Sequence, residues 1–165
     1  VLGFIYAPLT MTGMHHSILP VEMQLFANIA VTGGSFLLAI ASCNNVAQGA
    51  ASLASIITSK NKKLRSIALT SGISALLGIT EPAMFGVNLK LKTPFYSAMI
   101  GSALGSAYSV FTNVLNVSPG PTGIIGFVTI RPQNIVNFFI SLGIAFVVTF
   151  ILTLVLSKKN KSITI

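Results

Sequence analysis

Apolar runs alternate along this chain with short interruptions that are polar or rich in glycine and proline. A membrane-spanning helix needs roughly 20 predominantly apolar residues. The runs over residues 35–58, 95–115 and 134–156 reach or approach that length. Residues 1–11 are apolar with Pro8 inside them and read as the end of a further membrane helix. The expected fold class is all-α integral membrane. It comprises about three full transmembrane helices, a partial one at the N-terminus, and one or two re-entrant helical hairpins. Because the chain opens at Val1 within an apolar run, it reads as a piece of a longer protein.

The interruptions carry the polar chemistry. Thr12-Gly13-Met14-His15-His16-Ser17 follows the first run, and Pro20, Glu22 and Gln24 come next. Two readings stay open here: a helix break at Gly13 whose polar groups face a cavity, or an aqueous loop with solvated histidines. Gly33-Gly34 is a breaker pair. The run over residues 35–58 carries Ser42, Asn44, Asn45, Gln48 and Gly49 at its centre. Asn44 and Gln48, four apart, share a helix face. Amides at membrane depth need partners, across a helix–helix contact or around a polar pocket. Residues 66–77 are helix-like but interrupted by Gly72.

Pro94 suits the start of the next helix, within which Gly101 and Gly105 make a GxxxG spacing that permits close packing. Residues 116–132 hold Pro119, Gly120, Pro121, Gly123, Gly126 and Arg131-Pro132, which excludes one regular helix. A smaller re-entrant loop, with Arg131 as a phosphate or hydroxyl contact, and a plain external loop both fit. Residues 157–165 are expected to fray or to lead into a further part.

The stretch Gly78-Ile79-Thr80-Glu81-Pro82-Ala83-Met84-Phe85-Gly86-Val87-Asn88 organises the rest. Glu81 is one of only two carboxylates in the chain, and its surroundings are apolar. An ionisable group in such surroundings is costly and marks binding or transport. Pro82 removes a backbone donor and biases Glu81 away from the α region, so a helix break is expected here. Irregular backbone at depth survives only where protein or a water-filled cavity surrounds it.

Charge helps to place this stretch. Lys60, Lys62, Lys63 and Arg65 form a basic loop, which the positive-inside tendency puts in the cytoplasm. If residues 66–89 turn back at residues 78–86, Lys90 and Lys92 return to that side; if they cross once, those lysines lie outside. The reversal satisfies the charge rule and predicts two half-helices meeting at Glu81 and Pro82, as at transporter sites.

Composition agrees with a membrane protein. Hydrophobic residues make up 53% of the 165, charged residues 7%, and mean hydropathy is +0.86. A soluble domain carries about a quarter charged residues. The net charge of +8 is no nucleic-acid signal. The second basic cluster, Lys158, Lys159 and Lys161, also ends an apolar run, and no basic face interleaved with aromatics is visible. Cys43, the only cysteine, reads as a small buried apolar residue. His15-His16 supply too few ligands for a metal, since neighbours on a helix point apart. No cofactor is expected. There is no P-loop. Glu22 and Glu81 are the minimum for a glycosidase pair, but nothing in the sequence brings them together. No catalytic residue is expected.

A sugar offers many hydroxyls and a weakly apolar ring face. A carboxylate accepts two hydroxyls, an imidazole donates or accepts one, and amides do both. Glu81, His15 or His16, Asn88 and the amides of Asn44, Asn45 and Gln48 supply those types. Phe85 offers a ring surface or, in the plainer reading, core.

Gly78-Ile79-Thr80-Glu81-Pro82 followed by Phe85-Gly86-Val87-Asn88 resembles the GITEP signature of membrane permease components (enzyme IIC) of the sugar phosphotransferase system. The branch is the glucose–sucrose–β-glucoside superfamily. Thr12-Gly13-Met14-His15-His16 resembles that family's TG(I/M)HH motif. Asn45-Val46-Ala47-Gln48-Gly49-Ala50-Ala51 is similar to its NIAQG segment, and Gly126-Phe127 through Arg131-Pro132 to its late loop. The likeness runs through nearly the whole chain in order.

It implies a multi-pass, homodimeric permease of the bacterial cytoplasmic membrane. Its substrate domain would hold a sugar between hairpins and move as an elevator. The sugar would be phosphorylated through a IIB domain and a phosphocarrier chain. The resemblance also implies that Glu81 binds sugar hydroxyls, helped by His15 or His16 and, along the matched motifs, by Thr80, Asn88, Asn45 and Gln48. Residues 88–92 look most like disaccharide members, sucrose first and trehalose next. The chain departs from the full pattern: the scaffold half, the phospho-accepting cysteine of IIB and the histidine of IIA are not in it. Cys43 does not match the IIB motif. Residues 1–165 are thus expected to form the substrate-binding half, unable to transfer phosphate alone. An ion or amino-acid carrier with re-entrant hairpins, Glu81 binding the cation, is the alternative; a structural membrane subunit is a third.

Overall fold

The computed structural model describes residues 1–160; Lys161 and the residues after it lie outside the described residues. Regular structure among the described residues is helical, apart from isolated bridges pairing Ser35 with Asn116 and Asn116 with Ile130. Helix α1 (Leu2–Met11) keeps Pro8 inside it. A 3-10 turn (Met14–Ile18) carries both histidines. Short helices α2 (Leu19–Ala27) and α3 (Ile29–Thr32) then lead to the break at Gly33-Gly34. The long helices are α4 (Leu37–Thr58), α5 (Lys62–Leu76), α8 (Thr93–Phe111) and α9 (Ile135–Asn160). Between α5 and α8 lie α6 (Glu81–Ala83), a π-helical turn (Met84–Asn88) and α7 (Leu89–Leu91). Helix α9 runs on past Leu156, the end expected from the sequence.

Helix α4 is the axis. It packs against α5, α8 and α9, and every residue from Ala39 to Ser52 is buried. Small residues allow this. A Cβ on Gly49 would sit 3.0 Å from the Gly72 carbonyl oxygen of α5. Gly72 therefore permits close approach and does not interrupt α5, which runs straight through it. Across the same contact the Ser52 hydroxyl donates to the Ala68 carbonyl at 3.0 Å. On α8, a Cβ at Gly105 would lie 2.7 Å from the Ser141 carbonyl oxygen of α9. The GxxxG spacing is thus a packing stripe.

Lys62, Lys63 and Arg65 do not sit in a loop, as the sequence reading had it. Asn61 caps α5 by accepting from the backbone N–H of Lys63 (2.9 Å) and Leu64 (3.3 Å). That cap starts the helix at Lys62 and offsets the poor match between cations and a helix N-terminus.

Among the described residues one helix, Pro132–Lys159, is long and apolar enough to cross a membrane. Three were expected. Helix α4 has the length but carries Ser42, Asn44, Asn45, Gln48, Ser52 and Ser55. Helix α8 carries Ser97, Ser102, Ser106 and Ser109. These polar side chains are buried against neighbouring helices and lower hydropathy without exposing polarity.

The chain reverses between α5 and α6. Gly78 (φ 104°) takes the left-handed position after α5. Its N–H donates to the Ala75 carbonyl and that of Ile79 to Ser74, both at 3.0 Å. This is the hydrogen-bond pattern of a Schellman C-cap. The break therefore falls at residues 77–80, not at Glu81-Pro82. Glu81 opens α6 in helical conformation, and Pro82 stands in its first turn, where a missing N–H costs nothing. The returning arm of the hairpin lies along α5: a Cβ on Gly86 would rest 3.5 Å from Ile67 Cγ2.

Candidate functional site

Four parts of the chain meet at the N-terminal end of α4 and enclose a cavity of about 220 Å³. Helix α4 supplies its floor with Leu37, Leu38, Ala41 and Asn45. The hairpin tip supplies Gly78, Thr80 and Glu81. The segment from α1 to α2 supplies Tyr6, Thr10, His15, His16 and Glu22 among others, and the loop after α8 supplies Thr122.

Five of the seven sequence-derived residues thus come together: His15, His16, Asn45, Thr80 and Glu81. The other two, Gln48 and Asn88, are fully buried and bind each other. Asn88 Nδ2 donates to Gln48 Oε1 at 2.7 Å and to the Gln48 carbonyl at 3.0 Å. That pair fastens the π-helical turn to α4 and is not part of the cavity wall. Arg131 donates to the Gly33 carbonyl and also lies away from the cavity, bracing the Gly33-Gly34 break.

Asn45 joins two tips. Its Nδ2 donates to Thr122 Oγ1 at 2.7 Å and, more weakly, to the Gly78 carbonyl at 3.4 Å. Ser42, one helical turn earlier, accepts from the Gly123 N–H at 3.1 Å. Helix α4 therefore holds the hairpin tip and the late loop side by side. The tips touch closely: a Cβ on Gly78 would lie 2.6 Å from the Thr122 carbonyl oxygen. Gly123 (φ 80°) fits against Gly78 in turn.

The two carboxylates share this cavity, contrary to the sequence reading that left them unrelated. Their environments differ. Glu81 is exposed, whereas Glu22 is 5% exposed. The buried acid is thus Glu22, not Glu81 as expected. Glu22 Oε1 accepts the Ser35 hydroxyl at 3.2 Å. Burial pushes its carboxyl pKa up, and the bonds from Ser35 and the Leu38 backbone pull it part of the way back.

His15 and His16 do not point apart. The tight 3-10 turn brings their rings to a centroid distance of 4.1 Å, tilted by 37°. Burial and then the neighbouring His16 hold the His15 pKa below its ordinary value, against the pull of the Leu9 carbonyl and Glu81. His15 is therefore a neutral imidazole at neutral pH, able to donate from one nitrogen and accept at the other. Among the described residues no group of three or more His, Cys, Asp or Glu side chains is arranged to hold a metal ion.

The sequence left Glu22 among polar groups facing either a cavity or water, and gave no role to Tyr6, Thr10 or Thr122. Tyr6 and Thr10, four apart in the apolar lead-in, were the one local signal available: they share a face of α1. Thr122 had none, because Asn45 reaches it across 77 positions.

A site that mixes carboxylates, imidazoles and hydroxyls over an apolar floor suits a polyhydroxylated ligand. Residues 1–102 match the profile of the family described as "Phosphotransferase system, EIIC". The chain belongs to that family. This makes it an integral protein of the bacterial cytoplasmic membrane. The EIIC chain is similar to the sucrose-specific EIIBC component of Vibrio alginolyticus, 51% identical over 162 residues. That alignment covers 98% of this chain and 34% of the relative. The sucrose-specific EIIBC component of Staphylococcus xylosus is 52% identical over 149 residues, 90% of this chain and 31% of the relative. A trehalose-specific EIIBC component of Bacillus subtilis is 43% identical over 148 residues, 90% of this chain and 31% of the relative. The chain spans about a third of the length of these relatives. No solved structure matches it.

Proposed function

We propose that this chain is the substrate-binding half of a disaccharide permease in a phosphoenolpyruvate-dependent phosphotransferase system. The substrate is sucrose first and trehalose next. One observation carries the reading: Glu81, His15, His16, Thr80 and Asn45 converge on one cavity in a chain half identical to sucrose-specific components along almost all its length. Glu81 accepts sugar hydroxyls, and the neutral His15 donates or accepts one beside it. Asn45 keeps the hairpin tip and the Thr122 loop in register beneath the sugar. Gln48 and Asn88 act one layer behind, through the fold.

In this reading α4, α8 and α9 cross the bilayer and α1 is a partial span. The hairpin over residues 66–89 and the late loop are re-entrant, and the protein is multi-pass. Irregular backbone at such tips is tolerated because it lines the cavity. The full-length protein is a homodimer. Its substrate half moves against a scaffold half, delivering sugar to a IIB domain charged by a phosphocarrier chain. The names of the relatives, EIIBC and in Pediococcus pentosaceus EIIBCA, support those partners.

The test is calorimetric binding of sucrose, trehalose and glucose to the full-length protein, with Glu81→Gln beside wild type. Wild type should bind a disaccharide and Glu81→Gln should weaken it by about tenfold or more, the scale of a lost charged hydrogen bond. Unchanged sugar binding in Glu81→Gln overturns the reading. A response to sodium or protons but to no sugar favours the cation carrier.

A further inference from the structure

The permease reading uses Glu81 and leaves the second carboxylate idle. Among the described residues Glu22 is the only charged side chain that is buried. It lies on α2 and lines the same cavity as Glu81, which sits on the hairpin tip. Its protein partners are the Ser35 hydroxyl, at 3.2 Å, and the Leu38 backbone. The Ser35 contact is long for an O–H donor. An ionised carboxylate offers about four acceptor positions. Leaving those positions unfilled in a buried site is costly, and Glu22 lines the cavity, from which further donors can come.

Ser35 has other duties. Its hydroxyl accepts the Leu37 N–H at 3.1 Å, and its backbone exchanges bonds with Asn116 at 2.9 and 2.8 Å. The start of α4 is thus anchored without Glu22. Glu22 and Glu81 stand on separate elements, so the α2 wall and the hairpin tip each present one carboxylate to a ligand in the cavity.

We propose that Glu22 is a second sugar contact and a determinant of specificity: it accepts hydroxyls from one ring of a two-ring sugar while Glu81 accepts from the other. A monosaccharide engages one acid and gains nothing from the second. The proposal rests on the sugar-permease reading above.

The experiment measures Kd for sucrose, trehalose and glucose, with thermal midpoints, on the full-length wild type, Glu22→Gln, Glu22→Asp, Ser35→Ala and Glu81→Gln. Glutamine keeps an acceptor for Ser35 but loses the charge. Glu22→Gln should weaken disaccharide binding by about tenfold while glucose changes by less than about twofold. Ser35→Ala, which removes the tie but no cavity wall, should leave all three sugars within about twofold. Glu22→Asp, which keeps charge and shortens reach, should raise the disaccharide-to-glucose Kd ratio, and it serves if Glu22→Gln does not fold. The proposal is overturned if Glu22→Gln and Ser35→Ala act alike, or if the disaccharide-to-glucose ratio stays constant across the Glu22 variants. Wild type that binds no sugar overturns the permease reading instead.

Discussion

Asn88 gives its side-chain amide to both oxygens that Gln48 presents, the backbone carbonyl at 3.0 Å and Oε1 at 2.7 Å. The two residues stand 40 positions apart, and both are completely buried. The returning arm of the hairpin is thereby bolted to the central helix. Removing Asn88 leaves two acceptors without that donor in a dry environment. Asn88→Ala should cost about 1–3 kcal/mol of stability and lower the thermal midpoint of the purified protein. Sugar affinity measured well below that midpoint should stay near wild type, because Asn88 does not line the cavity. A large affinity loss at unchanged midpoint would make Asn88 a direct contact.

Gly78 tests the geometry of the tip. Its φ of 104° lies where side chains are strained, and a Cβ would press on the Thr122 carbonyl oxygen at 2.6 Å. Gly78→Ala must either strain the Schellman cap or push the late loop away from Asn45. The left-handed conformation alone costs about 1–2 kcal/mol for a residue with a Cβ. Sugar affinity should fall although no polar group is lost, and thiol labelling of Thr122→Cys should become faster. Affinity equal to wild type would mean that the two tips need not meet.

His15 should make the proposed site sensitive to acid. The native state holds its pKa below the ordinary value of 6.5, mainly by burial and secondly through His16. As pH falls through the ordinary imidazole range, the unfolded chain therefore takes up more protons at this position than the folded one. Stability from this residue is complete above about pH 6.5 and declines below it. Sugar affinity should hold further down and decline only as pH falls through the lowered native pKa, because only there does the folded ring take the proton that removes its acceptor. A series of midpoints and Kd values from about pH 7.5 to 5.5 checks this, with His15→Gln as control. His15→Gln should flatten part of the slope; an unchanged slope would assign it elsewhere.

What the sequence disclosed followed from local rules. The long apolar runs, the Gly33-Gly34 break and Pro94 at the head of α8 are set by periodicity and backbone sterics, and they recur in the fold; the turn expected over residues 78–86 was read from charge, and its break falls at residues 77–80. The TGMHH and GITEP residues were identifiable by motif, and His15, His16, Thr80 and Glu81 do share one cavity. The rest depended on tertiary distance. Nothing local says that Gln48 will spend its oxygens on Asn88. Nothing local says that Thr122 will complete the cavity. The two acids were misread because burial was inferred from neighbours in sequence. Glu81 has apolar neighbours yet stands exposed at a helix start, while Glu22, in a polar stretch, is covered by the start of α4. Pro82 was misread in the same way, since a proline that ends one helix and a proline that begins the next look alike until the cap is located.

A chain that doubles back at residues 77–80 brings Glu81 to the cavity, and in a bilayer it requires the basic residues at both feet of the hairpin to share one side. Single-cysteine accessibility at Lys63→Cys and Lys92→Cys, read with an impermeant thiol reagent on intact cells and on inverted vesicles, tests this most directly. Both positions should react only in inverted vesicles, from the cytoplasmic face. Labelling of the two from opposite faces would contradict the hairpin and, with it, the sugar site proposed at its tip.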